Sequence, residues 1–247
     1  MALYCRSNNP LSAGRIMNKR SLHPELLDEL PANDPLAIGS RRDLRWINAL
    51  MGNARLMADA VRPATSGTRP RRIVDLGAGD GAVLLDCVRR LPSLARGTEL
   101  LLVDRSGVRD SSVVAALSSL GFNPRVIQAD ALEWLQEQPV ESGTWVFTNL
   151  FLHHFTSESL ASLFRTVATK ADLFCACEPH RDPWSLVASK MLGVIGANAV
   201  TRHDATVSVR AGFQVGELSS LWPDPSTWQL REQRAGIFSQ LFLAQRA

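Results

Sequence analysis

One short stretch, residues 71–92, constrains the fold more than any other part of the chain. It begins with aliphatic residues typical of a buried strand and continues into apolar residues at helical spacing, which end at Pro92. The two parts are joined by a turn that holds Gly77, Gly79 and Gly81. Glycine permits backbone conformations and close ligand approach that a β-carbon would obstruct, and the first amides of the following helix would face whatever the turn holds. The stretch therefore predicts a strand, a ligand-binding turn and a helix.

Strand and helix patterns alternate from Arg71 onward. This alternation predicts an α/β domain with a Rossmann-like, seven-stranded, mostly parallel sheet and helices on both faces. The strands are expected near residues 72–76, 99–104, 124–128, 144–149, 172–177, 213–218 and 237–244. The last two flank Trp222-Pro-Asp-Pro225, a loop without a crossover helix, so the last strand is expected to run antiparallel.

The first 65 residues are predicted to form an N-terminal extension and helical segment, and residues 66–247 the main domain. Residues 1–18 lack the continuous apolar core of a signal peptide and are expected to be a flexible extension. A short helix is expected over Pro24–Leu30. Further on, Ser40-Arg-Arg-Asp43 resembles a capping box, and apolar residues at helical spacing up to Val61 predict an amphipathic helix. This helix is expected to pack on the sheet or to lie over the cleft as a lid.

Composition and charge exclude several classes of partner. The net charge of +3 is small and the chain contains few lysines, so no nucleic-acid partner is expected. The most apolar later run, residues 185–200, is interrupted by Lys190 and two glycines, so no membrane span is expected. Four cysteines form no Cys-x-x-Cys spacing, which predicts no metal site and a reducing compartment. Together these features predict a cytoplasmic protein.

Polar residues stand where the second, third and fourth strands are expected to end, namely Asp104, Asp130 and Asn149. In open parallel sheets, ligands bind at the carboxyl ends of the strands. These side chains and the glycine turn are therefore expected to converge on one cleft.

The motifs at these strand ends make the chain similar to the class I S-adenosylmethionine-dependent methyltransferases. The resemblance rests on Val-Asp75-Leu-Gly77-Ala-Gly79-Asp80-Gly81, Leu-Leu-Val-Asp104, Gln128-Ala-Asp130-Ala131 and Asn149-Leu-Phe-Leu-His153-His154-Phe. It covers residues 71–181 and extends through Arg210-Ala-Gly-Phe213 to the end, but it is weak over the first 65 residues. It implies S-adenosylmethionine as the cofactor, held by Asp75, Gly77, Ala78, Gly79, Gly81, Asp104, Arg105, Asp130, Ala131 and Asn149. In the family, the second-strand acid binds the ribose hydroxyls and the third-strand residues hold adenine.

Two other classes remain open at this point. An NAD(P)-dependent oxidoreductase also has a glycine turn and an acid after the second strand. Its fingerprint is Gly-x-Gly-x-x-Gly, however, whereas this chain has Gly-x-Gly-x-Gly preceded by Asp75, which suits a ligand with a cationic sulfonium and amine. A non-catalytic protein that retains the cofactor site is the second alternative.

Two histidines after the fourth strand are the candidate catalytic residues. Leu152-His153-His154-Phe155 is similar to the Leu-His-Asp-Trp run of plant-type small-molecule O-methyltransferases, in which the first histidine is the general base. The resemblance therefore implies His153 as the base, with His154 as a second candidate because it replaces the family's acid. A histidine is able to accept a phenolic or enolic proton near neutral pH. The alternative is that one ring caps the next helix or lines the pocket.

The acceptor is expected to be a small molecule, because the chain has neither a lysine-rich run nor the Asn/Asp-Pro-Pro-aromatic signature used for nucleobase or protein nitrogen. The predicted acceptor-binding residues follow the fifth strand and precede a later helix: Glu178, His180, Arg181, Arg202 and His203. The mostly apolar residues 184–200 suit an aromatic or polyketide-like metabolite, the core, or the surface of a homodimer. Transfer to oxygen, in secondary metabolism, is the favoured function, with transfer to carbon or nitrogen next.

Overall fold

A computed structural model of the protein describes residues 19–31, 33–67, 69–94, 97–107 and 111–247. The extension expected at residues 1–18 lies outside the described residues. The strands are β1 (Arg72–Leu76), β2 (Glu99–Asp104), β3 (Asn123–Gln128), β4 (Thr144–Asn149), β5 (Leu173–Pro179), β6 (Trp228–Ala235) and β7 (Ser239–Arg246). The helices are α1 (Leu26–Glu29), α2 (Pro35–Met51), α3 (Asn53–Val61), α4 (Ala82–Arg89), α5 (Ser111–Ser119), α6 (Ala131–Glu137), α7 (Ser157–Lys170), α8 (Pro183–Met191) and α9 (Ala199–Ala211).

The strands form one sheet in the order β3-β2-β1-β4-β5-β7-β6. Neighbouring strands from β3 to β5 are parallel, whereas β7 pairs antiparallel with both β5 and β6. The prediction of a Rossmann-like, mostly parallel sheet with an antiparallel last strand is confirmed. The carboxyl ends of β1, β2, β3, β4 and β5 share one edge of this sheet, which is the edge where the predicted cofactor residues, the two histidines and Glu178 stand. The predicted acceptor residues Arg202 and His203 lie on α9 instead.

The prediction for the sixth strand was wrong. Residues 213–218 do not form a strand: Phe213 makes a single parallel bridge to His180, and the chain then turns through Gly216, whose φ is +98°. The true β6 is Trp228–Ala235, which forms a hairpin with β7 at the edge of the sheet. Its central residues are mostly polar, because an edge strand of this kind has little apolar surface to bury. The alternation of apolar and polar residues that predicts a strand is therefore absent from this segment.

The capping box predicted at Ser40 was also wrong, because the helix begins earlier. Asp34 caps α2 by accepting a hydrogen bond from the Leu36 backbone N–H (2.7 Å), and Pro35 occupies the first helical position. Ser40 and Asp43 are instead buried inside the helix. The Thr201 hydroxyl lies within hydrogen-bond distance of both, 3.0 Å from the Ser40 hydroxyl and 3.1 Å from Oδ2 of Asp43, and so joins α2 to α9.

The core has two layers, one on each face of the sheet. One layer includes side chains of α3, α4 and α5, and the other includes side chains of α6 and α7 with an aromatic cluster of Phe164, Phe174, Trp222, Trp228 and Phe242. Met57, Ala58 and Val61 of α3 are fully buried in the first layer, so this helix is part of the core of the sheet domain. Among the described residues, no helix is both long and apolar enough to cross a membrane.

Candidate active site

The glycine turn between β1 and α4 has the geometry that the sequence predicts. Gly77, Gly79 and Gly81 all lie in the left-handed region, with φ of +70°, +58° and +74°. A β-carbon on Gly77 would lie 2.2 Å from Cδ2 of Phe151, so the Phe151 ring packs directly on the turn. A β-carbon on Gly79 would meet nothing within 4 Å. The turn is therefore closed by an aromatic ring at Gly77 and open at Gly79, where a ligand is able to approach the backbone.

Three carboxylates surround this turn. Asp104, at the end of β2, accepts a hydrogen bond from the Gly79 N–H through Oδ2 (2.9 Å) and another from the Ser106 N–H through Oδ1 (2.8 Å). Burial, together with the neighbouring charges of Asp104 and Asp80, raises the pKa of Asp75 to about 8. Arg45 of α2 reaches Asp80 at 3.4 Å. A buried acid whose pKa is raised in this way would be ionised more readily beside a ligand that carries positive charge, as the sulfonium and amine of S-adenosylmethionine do.

Arg105 and Asp130 follow the carboxyl ends of β2 and β3, next to the glycine turn in the order of the sheet. Oδ1 of Asp130 caps α6 by accepting hydrogen bonds from the Leu132 and Glu133 N–H groups, at 2.9 and 3.2 Å. The Arg105 guanidinium lies 3.5 Å from Oδ2 of Asp130. The buried Ala131 is the first residue of α6. Asp130 is thus a helix-capping residue at the carboxyl end of the third strand, and its second oxygen faces Arg105.

Asn149, at the end of β4, belongs to a network of amides that the sequence analysis did not find. Its Oδ1 accepts a hydrogen bond from the Asn53 side chain (2.8 Å), and its Nδ2 donates to Oδ1 of Asn48 (3.2 Å). Asn53 is fully buried and accepts a hydrogen bond from the Ser239 hydroxyl (2.7 Å). This network joins α2 and α3 to the carboxyl end of β4, the strand that neighbours β1 and its glycine turn.

His153 lies in a short 3-10 segment, Leu152–His154, which Glu178 holds from the end of β5. Glu178 is fully buried and accepts hydrogen bonds from the backbone N–H groups of Phe151 (2.9 Å) and Leu152 (2.8 Å). Its Oε2 also accepts a hydrogen bond from Nδ1 of His153 (2.8 Å). The loop before this segment contains Leu150 in the left-handed region, with φ of +51°. A single carboxylate therefore fixes both the backbone and the imidazole of this segment.

The other nitrogen of His153 faces a residue that the sequence analysis did not single out, Glu25. Its Oε1 lies 3.4 Å from Nε2 of His153, which is itself only 3% exposed. Burial disfavours the imidazolium, but the hydrogen bonds and negative charges of Glu178 and Glu25 outweigh it and raise the pKa of His153 to about 9. His153 is therefore mostly protonated at neutral pH in this conformation.

His154 is the more accessible of the two histidines. It has exposed surface, and its ring stacks on that of His153 with a centroid distance of 4.2 Å. Partial burial and the positive charge of His153 lower the pKa of His154. One polar atom from each of Glu25, His153 and His154 lies within 4.8 Å of the other two. The site thus combines a buried imidazolium with a neutral, accessible imidazole.

The remaining predicted acceptor residues have partners of their own. His180 contacts Oε1 of Gln240 through Nδ1 (3.0 Å), and Arg181 is buried against Glu217 and the Gly212 carbonyl. His203 contacts Asp204 at 2.9 Å, and Arg202 is exposed beside Gly193. The apolar residues of the 184–200 segment are largely at the surface: Trp184, Val187, Met191, Val194 and Ile195. Glu178 is therefore the member of this set that lies in direct contact with the histidine pair.

Solved structures with the same fold include several methyltransferases. The plantazolicin methyltransferase BamL, in complex with a triazolic desmethylPZN analog and SAH, is 14% identical; the match covers 89% of this chain and 92% of that one, with a TM-score of 0.59. The S-adenosylmethionine-dependent methyltransferase SibL is 15% identical over 96% of this chain and 68% of that one, with a TM-score of 0.61. The mitomycin 7-O-methyltransferase MmcR is 17% identical over 90% of this chain and 60% of that one, with a TM-score of 0.54.

Neither a protein-family model nor a curated protein matches the sequence. The identities to the solved structures are low, so these comparisons bear on the fold. The chain has the Rossmann-like fold of the class I methyltransferases, as its strand-end motifs predict.

Proposed function

We propose that the chain is an S-adenosylmethionine-dependent methyltransferase that acts on a small molecule, and that it transfers the methyl group to oxygen. The observation that carries this proposal is the position of the His153–Glu178 pair, whose segment follows β4 immediately beyond the Phe151 ring that packs on the glycine turn. A proton acceptor and a cofactor turn thus share one edge of the sheet. The mitomycin 7-O-methyltransferase, which has the same fold, supports an oxygen acceptor by analogy.

The residues around the glycine turn fit S-adenosylmethionine. We assign the methionine part to the turn, including Ala78, with Asp75 and Asn149 beside it. Asp104 keeps lone pairs free for the ribose hydroxyls, although both oxygens already accept backbone hydrogen bonds. Arg105, Asp130 and Ala131 line the adenine end. The cofactor supplies a methyl group on a sulfonium, which is already activated for transfer, so the protein mainly has to align the acceptor and manage its proton.

We assign removal of the acceptor proton to Nε2 of His153. Because a carboxylate only accepts hydrogen bonds, Glu178 fixes the proton on Nδ1, and the neutral ring then carries its lone pair on Nε2. Glu178 also stabilises the imidazolium that forms. Since the pKa of His153 is about 9, the ring must first lose its own proton, and activity is expected to rise with pH towards that value. His154, with its lowered pKa, is the second candidate base.

A nitrogen acceptor is the second candidate function, and the carboxylates around the histidine pair favour it. Burial raises the pKa of Asp28, and the nearby negative charges of Glu25 and Asp204 raise it further. Such a surplus of carboxylates would attract a cationic amine. Transfer to carbon has no comparable support.

Binding of a dinucleotide is disfavoured by the sheet itself. Dinucleotide-binding domains of the Rossmann type use the strand order 3-2-1-4-5-6. Here the antiparallel β7 lies between β5 and β6. The non-catalytic alternative is disfavoured by the buried His153–Glu178 pair, because a protein that only holds the cofactor has no need of a buried imidazole beside it.

The predicted acceptor set was Glu178, His180, Arg181, Arg202 and His203, and we propose direct contacts to the acceptor for His180, Arg202 and His203. Glu178 and Arg181 are buried, so Glu178 acts through His153, and Arg181 is held by Glu217 and the Gly212 carbonyl. The exposed Arg202 and His203 stand on α9 next to Asp204. The apolar surface of α8 is a proposed contact for an aromatic or polyketide-like acceptor, or for a second copy of the chain in a homodimer. A cytoplasmic location and a place in secondary metabolism complete the proposal.

The proposed function is tested by incubating the protein with S-adenosylmethionine that carries an isotope-labelled methyl group and with a panel of phenols, enols and amines. We expect labelled product and demethylated cofactor in equal amounts, with phenols or enols as the better acceptors. Labelling of the amines alone would replace oxygen with nitrogen as the acceptor atom. Bound cofactor without any transfer across the panel would favour the non-catalytic alternative.

A further inference from the structure

Residues 19–31, here called the strap, lie across the histidine pair. The Arg20 guanidinium donates hydrogen bonds to the backbone carbonyls of Ala211 (2.8 Å), His153 (3.2 Å) and Phe155 (3.0 Å). It also stacks over the Phe213 ring at 4.1 Å. One strap side chain therefore connects α9 to both sides of the segment that carries the two histidines.

Asp204 of α9 holds the other part of the strap. Its two carboxylate oxygens accept hydrogen bonds from the backbone N–H groups of Leu26 (2.8 Å) and Leu27 (3.0 Å). These are the first amides of α1, so a buried acid from a distant helix caps α1. The residue just before α1, Glu25, is positioned by this cap.

Glu25 points inward from the strap. Its side chain is 13% exposed, and its Oε1 accepts a hydrogen bond from the Ser208 hydroxyl and faces Nε2 of His153 at 3.4 Å. Its pKa is lowered by the hydrogen bond and the charge of His153, against the effect of burial. An ionised carboxylate thus occupies the side of the imidazole that is not taken by Glu178.

We propose that Glu25 is a positioning residue of the acceptor site, which holds Nε2 of His153 in the absence of acceptor and yields that atom to the acceptor hydroxyl. This inference rests on the proposed function for its catalytic meaning. The competition for Nε2 follows from geometry alone, because one imidazole nitrogen has room for one hydrogen-bond partner. The acceptor must therefore displace Glu25, either by a rotation of its side chain or by movement of the strap.

The charged groups around His153 determine how Glu25 acts on catalysis. Glu178 faces the ring from β5, Glu25 and Asp28 belong to the strap, and His154 is its neighbour in the same segment. Arg20 donates to the His153 carbonyl from the other end of the strap. Glu25 and Glu178 both favour the protonated ring, so loss of one carboxylate lowers the pKa of His153 and increases the fraction of neutral ring at pH 7.

The test is the variant Glu25→Gln, compared with Glu29→Gln as the matched control. Glutamine keeps the size of the side chain and a hydrogen-bonding oxygen for Ser208, but it removes the negative charge. Glu29 is an exposed glutamate in the same strap, four residues away. Two readouts are needed: an NMR titration of the His153 imidazole without acceptor, and the dependence of kcat/KM on pH.

For Glu25→Gln, we expect the pKa of His153 to fall by at least about one unit, with the acid limb of kcat/KM moving by the same amount. Activity at pH 7 would then rise by about tenfold for each unit, because the neutral fraction rises in that proportion. Glu29→Gln should behave as wild type in both measurements. A merely structural role would instead lower activity at every pH.

The inference is overturned if the imidazole titration does not move in Glu25→Gln, or if it moves equally in Glu29→Gln. The NMR titration needs neither cofactor nor acceptor. It therefore decides on the contact between Glu25 and His153 even if no methyl transfer is found, and failure of the proposed function is distinguishable from failure of this inference.

Discussion

Replacement of His153 with glutamine is expected to lower kcat/KM by about 10² to 10⁴, because that is the usual contribution of a positioned general base. Cofactor affinity should stay within about threefold of wild type, because in the described part of the chain the hydrogen bonds of the His153 imidazole go to Glu178 and Glu25 and not to the glycine turn. Glu178 also still anchors the backbone of Phe151 and Leu152. Glutamine is able to donate a hydrogen bond to Glu178 in place of Nδ1, so the buried carboxylate keeps a hydrogen-bond partner. Steady-state kinetics and a cofactor titration measure the two effects.

The exposed His23, which contacts only the Ser21 hydroxyl among the hydrogen bonds of the described residues, is the control. His23→Gln should leave both turnover and cofactor affinity unchanged. Unchanged turnover in His153→Gln would remove His153 from the mechanism. A loss in His154→Gln but not in His153→Gln would assign the proton transfer to His154 instead.

The His153→Gln substitution should also change how the stability of the protein depends on pH. The pKa of His153 is raised from 6.5 to about 9 in the folded protein, so its stabilising effect is complete below about pH 6.5 and is lost as the pH rises through about 9. Wild type should therefore have a larger free energy of unfolding than His153→Gln, and the difference should be greatest near pH 6.5. The difference should narrow above pH 9, as measured by denaturant unfolding at a series of pH values.

Replacement of Gly77 with alanine is expected to have the second large effect, a loss of cofactor affinity of at least about tenfold. The residue has φ of +70°, a conformation that costs a residue with a β-carbon about 1–2 kcal/mol. The new β-carbon would also lie 2.2 Å from the Phe151 ring, so the ring must leave the turn. Because Phe151 immediately precedes the segment with His153, turnover should fall together with cofactor affinity.

Gly196→Ala is the matched control for the backbone strain that a β-carbon causes at a positive φ. Gly196 also has a positive φ, +87°, but a β-carbon there would meet nothing within 4 Å. Gly196→Ala should therefore lose stability through the same backbone strain, but it should bind the cofactor as tightly as wild type. If Gly77→Ala bound the cofactor as tightly as Gly196→Ala, the glycine turn would not be the cofactor site.

The sequence was most informative where local chemistry sets local structure. Gly77, Gly79 and Gly81 have the positive φ values that their positions in a strand-turn-helix unit predict. Asp104 and Asn149 lie at the carboxyl ends of β2 and β4, as the alternation of strands and helices predicts. These features depend on a few consecutive residues, and a parallel sheet brings its strand ends together without further information.

Contacts between distant segments were not predictable in the same way. Glu25 reaches His153 across 128 positions of the chain, and Asn53 reaches Asn149 across 96. Nothing in the local pattern around Glu25 distinguishes it from its exposed neighbour Glu29. The edge strand β6 was missed for a related reason, because its polar sequence is suited to a sheet edge only once β7 is in place beside it.

The most direct test of the account is a calorimetric titration of S-adenosylmethionine into wild type and Asp104→Ala. We expect one molecule to bind per chain, and binding to weaken by at least about tenfold in the variant, because hydrogen bonds to the ribose contribute about 0.5–1.5 kcal/mol each. NADH should not bind. Absence of S-adenosylmethionine binding to wild type, or equal affinity of the two proteins, would contradict the assignment of this cleft to the cofactor.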